Sequence, residues 1–87
     1  MVYYVFSESC IEYAVMRYLA SKNAHSGLYA FKIHFNSEIR YALYSYHSKF
    51  KYGVQYTDFY STEAELISNH PECTLYSWVS IYIEGRA

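Results

Sequence analysis

Residues 28–44 run Leu28-Tyr29-Ala30-Phe31-Lys32-Ile33-His34-Phe35-Asn36-Ser37-Glu38-Ile39-Arg40-Tyr41-Ala42-Leu43-Tyr44. Before Asn36 the chain alternates. Tyr29, Phe31, Ile33 and Phe35 fall on one side of an extended segment, and Lys32 and His34 fall on the other. That period of two is the mark of a strand with one buried face. Asn36-Ser37-Glu38 is a turn, and a second strand begins at Ile39 or Arg40. A three-residue connection sets Phe35 against Ile39, Ile33 against Tyr41 and Phe31 against Leu43, apolar against apolar. A two-residue connection sets Ile33 against Arg40, so the three-residue register is expected. It places Glu38 where left-handed backbone is preferred, which suits glutamate poorly. Past Leu43 the alternation shifts, with Ser45, His47, Lys49 and Lys51 in the positions that Tyr41 and Leu43 held. A bulge near Leu43–Ser45, or a strand running beyond the core, is expected to account for it.

Outward from this hairpin, Val2–Phe6 is a short β-branched and aromatic run that reads as a buried strand. Ser9-x-x-Glu12 matches a capping box, and Ile11, Ala14, Val15, Tyr18 and Leu19 then recur on one helical face. A helix is expected over Cys10–Ser21, closed by Asn23 to Gly27. Gly53 marks a turn, and Val54–Thr57 is a further short strand or an irregular segment. Thr62-x-x-Glu65 is a second capping box opening a short helix with Ala64, Leu66 and Ile67, which His70-Pro71 ends. Leu75–Ile83 alternates again, with Leu75, Val79, Ile81 and Ile83 opposite Tyr76, Trp78 and Tyr82. The order β-α-β-β-α-β resembles the split arrangement of ferredoxin-like domains. The expectation is one α+β domain spanning 1–87, a sheet with both helices on one face.

Composition narrows what such a chain can do. It has 87 residues, 53% hydrophobic and 17% charged, too apolar for a disordered tail. Its formal net charge of −1 excludes both a wholesale basic coat and an acidic nucleic-acid mimic. Thirteen Tyr, five Phe and one Trp bring the aromatic share to 22%. A domain of this size buries only about 60% of the surface its unfolded chain exposes, so some of these rings must lie outside. Surface tyrosine is also what binding interfaces use, since its ring gives contact area for little rotamer entropy. The first ten residues, MVYYVFSESC, lack the pattern of a secretory signal, and no run approaches the ~18 apolar residues of a membrane span. Cys10 and Cys73 alone make no disulfide framework. A cytoplasmic location is therefore expected, the host cytoplasm for a viral protein, with both thiols reduced.

With both helices on one face, the other face collects Lys32, His34, Arg40, Tyr44, Tyr46, Tyr76, Trp78 and Tyr82. It is aromatic and mildly basic, while Glu8, Glu12, Asp58, Glu63, Glu65 and Glu72 fall on or beside the helices. An uncovered face of this kind marks a partner site. Lys32, Arg40, Tyr44, Tyr46, Tyr76, Trp78 and Tyr82 are the expected partner-binding residues, since Tyr, Trp and Arg anchor protein interfaces. The alternative is a single-stranded RNA- or DNA-binding module of RRM-like shape, with bases stacked on the rings and phosphates on Lys32, Arg40, Lys49 and Lys51. Gly27–Phe35 echoes the RRM strand signature, but Leu28 is inserted after the glycine and no Lys or Arg precedes it. A homodimer through the same faces would also account for surface rings.

No catalytic constellation is visible. His70-Pro71-Glu72-Cys73 lacks the second ligand pair that a zinc site needs, so no metal is expected. Gly27, Gly53 and Gly85 are isolated, so no phosphate-cradling loop and no cofactor are expected. The expectation is a non-enzymatic protein-binding module. Small, tyrosine-rich α+β chains of this type resemble phage-encoded inhibitors of a host defence system or host enzyme, with no shared motif.

Overall fold

The structure is a computed structural model that describes the backbone of residues 8–35, 37–72 and 78–83, with side chains from Ile11 onward. It is an α+β arrangement of two helices and a four-stranded mixed sheet. The strand expected at Val2–Phe6 and the start of the one expected at Leu75–Ile83 lie outside the described residues.

Helix α1 spans Glu8–Ser21. Its stripe Ile11, Val15 and Leu19 is buried against the sheet, as the spacing predicts. The helix ends where Asn23 turns left-handed, with φ at 52°. Ala24 N–H then donates to Leu19 C=O and Asn23 N–H to Ala20 C=O, the paired bonds of a Schellman cap. The expected capping box is corrected. Ser9 already lies inside the helix, and the Glu12 carboxylate accepts from Gln55 N–H at 3.3 Å instead of turning back on its own helix.

Strand β1 (Gly27–Phe35) pairs antiparallel with β2 (Glu38–His47), and β2 pairs antiparallel with β3 (Tyr52–Gln55). Phe35 faces Glu38, Ile33 faces Arg40 and Phe31 faces Ala42. The connection is therefore two residues, and the expected register is off by one. Three gains explain it. Glu38 leaves the loop for the strand, so the difficult loop position disappears, and two-residue connections match the twist of their strands. Tyr44 and Tyr46 follow Ala42 onto the face under α1, where they are 0% and 2% exposed. Leu43 goes to the other face, where Leu66 covers it. No bulge at Leu43–Ser45 is needed. The cost is Arg40 opposite Ile33, which is modest because the guanidinium reaches outward to Ile39 C=O at 2.9 Å and approaches Glu38 at 3.7 Å.

The turn expected at Gly53 lies instead at 48–51, where Lys51 takes the left-handed backbone with φ at 54°. Gly53 is a buried strand residue opposite Tyr46. Beyond β3 the chain keeps to the β2 edge. Tyr56 N–H donates to Leu43 C=O, and Tyr41 and Tyr60 exchange both backbone bonds at 2.8 Å. Between these contacts the spare residues bow out, and Leu43 N–H is met by the Thr57 hydroxyl at 3.0 Å. Helix α2 (Glu63–Asn69) opens on Thr62, whose Oγ1 accepts from Glu65 N–H at 3.1 Å. It closes on His70, whose N–H donates to Leu66 C=O at 2.8 Å. Both ends are where the sequence places them.

Strand β4 (Trp78–Ile83) runs parallel to β1, giving the order β3-β2-β1-β4. This corrects the ferredoxin-like expectation, in which the strand at 28–35 is an edge and the sheet is antiparallel throughout. Here it is interior, flanked by β2 and by a parallel β4.

The helices also lie on opposite faces. Side chains alternate along each strand, so register assigns every residue a side. Phe31, Ile33, Phe35, Ala42, Tyr44, Tyr46 and Ile81 meet α1 on the first face. Ala30 and Leu43 meet Leu66 of α2 on the second. The first face holds the larger core, with Phe31 edge-on to both Tyr44, at 5.6 Å between centroids, and Tyr18, at 6.5 Å.

Candidate interaction surface

Across β4, β1 and β2 the second face reads as three rows. The first is Trp78, Ala30 and Leu43; the second Ser80, Lys32 and Tyr41; the third Tyr82, His34 and Ile39. Leu66 and the half-buried Ile67 close α2 over Ala30 and Leu43, and Tyr41 and Tyr60 pack at the margin of that contact. In the second and third rows Ser80, Tyr82 and Ile39 are exposed, as is Trp78, while Lys32, His34 and Tyr41 are half-buried.

Rings frame the open part. His34 and Tyr82 are register partners and stack at 4.2 Å between centroids with planes 17° apart. Trp78 meets Tyr41 edge-on at 6.3 Å, bridging the first and second rows. Lys32 stands between these two pairs, flanked by Ser80 and Tyr41. Tyr82 is 76% exposed and Trp78 37%. Lys32 and His34 are half-buried, and Ile39 is exposed. None of the nine row residues is acidic. The surface is thus a ring-lined strip with a lysine at its centre.

Of the residues expected to bind a partner, Lys32, Trp78 and Tyr82 come together here. Tyr44 and Tyr46 do not: they are core residues beneath α1, and the one-residue register difference put them there. Arg40 belongs to the same side as Tyr44, at the hairpin end, with Glu38 beside it. Tyr76 lies outside the described residues. Tyr41 and Ile39 were missed, because the expected register turned them toward the core. The poor fit of Glu38 to a left-handed loop position was the signal that could have found them, since Glu38 pairs with Phe35 in the strand. The expected bare face is also corrected, since α2 covers one of its rows.

Among the described residues, no group of three or more His, Cys, Asp or Glu side chains is arranged to hold a metal ion, and no helix is long and apolar enough to cross a membrane. No protein-family model matches the chain, and no curated protein or solved structure matches it either.

Proposed function

We propose that the chain is a non-enzymatic protein-binding module that docks an acidic segment of its partner on the strip formed by Lys32, His34, Trp78, Tyr82, Tyr41 and Ile39. The observation that carries this is the composition of the three rows: aromatic and aliphatic contact area, one lysine, one histidine and no carboxylate. Contact rings around a single half-buried lysine make a hot spot for a carboxylate-bearing partner.

The same geometry favours protein over single-stranded nucleic acid. Base stacking needs free ring faces. Tyr82 keeps one open face and Trp78 meets Tyr41 only edge-on, so stacking does not separate the two readings. A phosphate backbone, however, needs a track of cations, and the rows contain a single lysine, with Lys49 and Lys51 away in the turn after β2.

The test uses the full chain as bait, with Trp78→Ala and Tyr82→Ala as parallel baits. Support is a captured protein that both variants lose, that resists nuclease, and that tolerates a rise from low to moderate salt. Capture abolished by nuclease and by moderate salt would overturn the proposal in favour of nucleic acid, because bound phosphates release counterions. Self-association in sedimentation, lost in the same variants, would replace the foreign partner with a second copy of this chain.

A further inference from the structure

Strand β4 bounds the sheet on the side away from β3, and register fixes what its outer edge presents. Leu43 C=O accepts from Tyr56 N–H, Leu43 N–H donates to Thr57, and Tyr41 exchanges both backbone bonds with Tyr60. Odd-numbered residues of β2 therefore turn their backbone groups toward β3, and even-numbered ones toward β1. The even ones oppose Tyr29, Phe31 and Ile33, so Ala30, Lys32 and His34 are the β1 residues whose backbone groups face β4. In a parallel pair each such residue bonds the two neighbours of its register partner. Lys32, whose partner is Ser80, engages Val79 and Ile81, which leaves Trp78, Ser80 and Tyr82 pointing outward. Among the described residues, the N–H and C=O groups of these three have no partner.

The two edges of the sheet are unlike. β3 is four residues long, and the Glu12 carboxylate meets its outward Gln55 N–H at 3.3 Å. β4 reads Trp-Val-Ser-Ile-Tyr-Ile, with no charge, no proline and no bulge in its pairing with β1. An edge without such guards is a template for another strand.

The order of residues along that edge selects the occupant. A two-fold axis at Ser80 lays a second copy antiparallel, with Ser80 against its own copy and Trp78 against Tyr82 of the other chain. Each outward residue then donates once and accepts once, so three donors from each chain give six backbone bonds across the joint. An axis at Ile81 instead pairs Ser80 with Tyr82 and leaves Trp78 past the end of the strand, so four bonds remain. Side chains agree with the first register. Trp78 meets Tyr82 twice on the second face, and Val79 meets Ile81 twice on the first, apolar against apolar.

We propose that the chain forms a symmetric dimer by antiparallel pairing of β4 with β4 of a second copy, which joins two sheets into one. The joint uses the backbone of the edge and leaves the second face uncovered. It therefore stands or falls apart from the reading of the strip given above. Where both hold, the two strips adjoin at the axis with a Lys32 on either side of it.

The test follows the full chain by sedimentation from micromolar to millimolar concentration, and an equal mixture of isotope-labelled and unlabelled chain by NMR. A monomer–dimer equilibrium is expected, with an interchain contact between the Hα protons of Val79 and Ile81, the close pair of this register. Ser80→Pro removes an N–H that bonds nothing inside the chain, and an edge strand accepts proline there, so the sheet is kept. With two of six bonds deleted, the dissociation constant rises about tenfold or more. Ser80→Lys changes an exposed side chain and sets like charges opposite each other at the axis, for a rise of about threefold or more. Trp78→Ala and Tyr82→Ala keep all six backbone bonds, so the interchain contact persists in both at high concentration. A dimer without that contact is a face-to-face pairing of the strips and overturns the proposal, as does a dimer indifferent to both Ser80 variants. A chain that stays monomeric throughout overturns it too and leaves the edge to a foreign strand.

Discussion

The backbone N–H of Gln55 points away from β2 and donates to the Glu12 carboxylate at 3.3 Å, so a helix side chain occupies the outer edge of β3. A row of open N–H groups on an outer strand invites pairing with other chains, and an acidic side chain laid against it blunts that tendency. Glu12→Ala removes the acceptor. Loss of about 0.5–1.5 kcal/mol is expected, read as a lower urea midpoint with an unchanged slope. Hydrogen exchange at the Gln55 amide should quicken, while Glu12→Gln keeps it slow. Equal exchange in both variants would mean that the bond does not hold this edge.

Tyr44 and Tyr82 separate the two roles of tyrosine in this chain. Tyr44 is fully buried beside Phe31, whereas Tyr82 is mostly exposed over His34. Tyr44→Ala empties a core site and should cost about 3–5 kcal/mol, a large part of the stability of a chain this size. Tyr82→Ala should fall within about 0.5 kcal/mol of the parent. Chemical denaturation of the two variants side by side decides it; the reverse order would exchange the inner and outer faces of the sheet.

Much of this architecture was legible in the residues. The α1 stripe of Ile11, Val15 and Leu19, the Thr62 cap, the stop before Pro71 and the alternation of Val79 and Ile81 all report local periodicity or local hydrogen bonding. Those preferences act within a few residues and survive in any fold. The face of Tyr44 depended on whether two or three residues join β1 to β2, and apolar matching beside the turn favoured the wrong count. The deciding contacts were distant: α1 closing over Tyr44 and Tyr46, and Leu66 arriving on Leu43 from the far side of the sheet. The parallel pairing of β4 with β1 was likewise invisible, since nothing local to Trp78–Ile83 names its neighbour. Hence Lys32, Trp78 and Tyr82 were found for the strip, Tyr41 and Ile39 were missed, and Tyr44 and Tyr46 were placed on the wrong side.

Thr57 is a second place where a side chain stands in for backbone. Its hydroxyl accepts from Leu43 N–H at 3.0 Å where the chain bows away from the β2 edge. Thr57→Val preserves shape and removes that acceptor, stranding a buried donor. A loss of about 1–3 kcal/mol is expected, with Thr57→Ser recovering most of it. Denaturant midpoints of the three proteins give the comparison, and a neutral valine variant would show that Leu43 N–H finds another partner.

Helix α2 is too short to persist without its cap and its anchor. Thr62→Ala removes the Oγ1 acceptor of Glu65 N–H and should cost about 1 kcal/mol, whereas Thr62→Ser or Thr62→Asp should be close to neutral. Faster amide exchange confined to Leu66 and its neighbours would locate the effect in α2. Uniform acceleration across β1 and β2 would mean instead that α2 opens only together with the sheet.

The parallel seam between β1 and β4 has a consequence for assembly. The β1–β2 hairpin closes over two residues, but Trp78 reaches Ala30 only after the chain has passed through β3 and α2. Contacts between segments so distant in sequence are slow to form. Lys32 and His34 belong to the early partner of that seam, Trp78 and Tyr82 to the late one. A nascent or half-folded molecule therefore carries the hairpin residues of the strip, Lys32, His34, Ile39 and Tyr41, without Trp78 and Tyr82, and the strip is whole only in the finished fold.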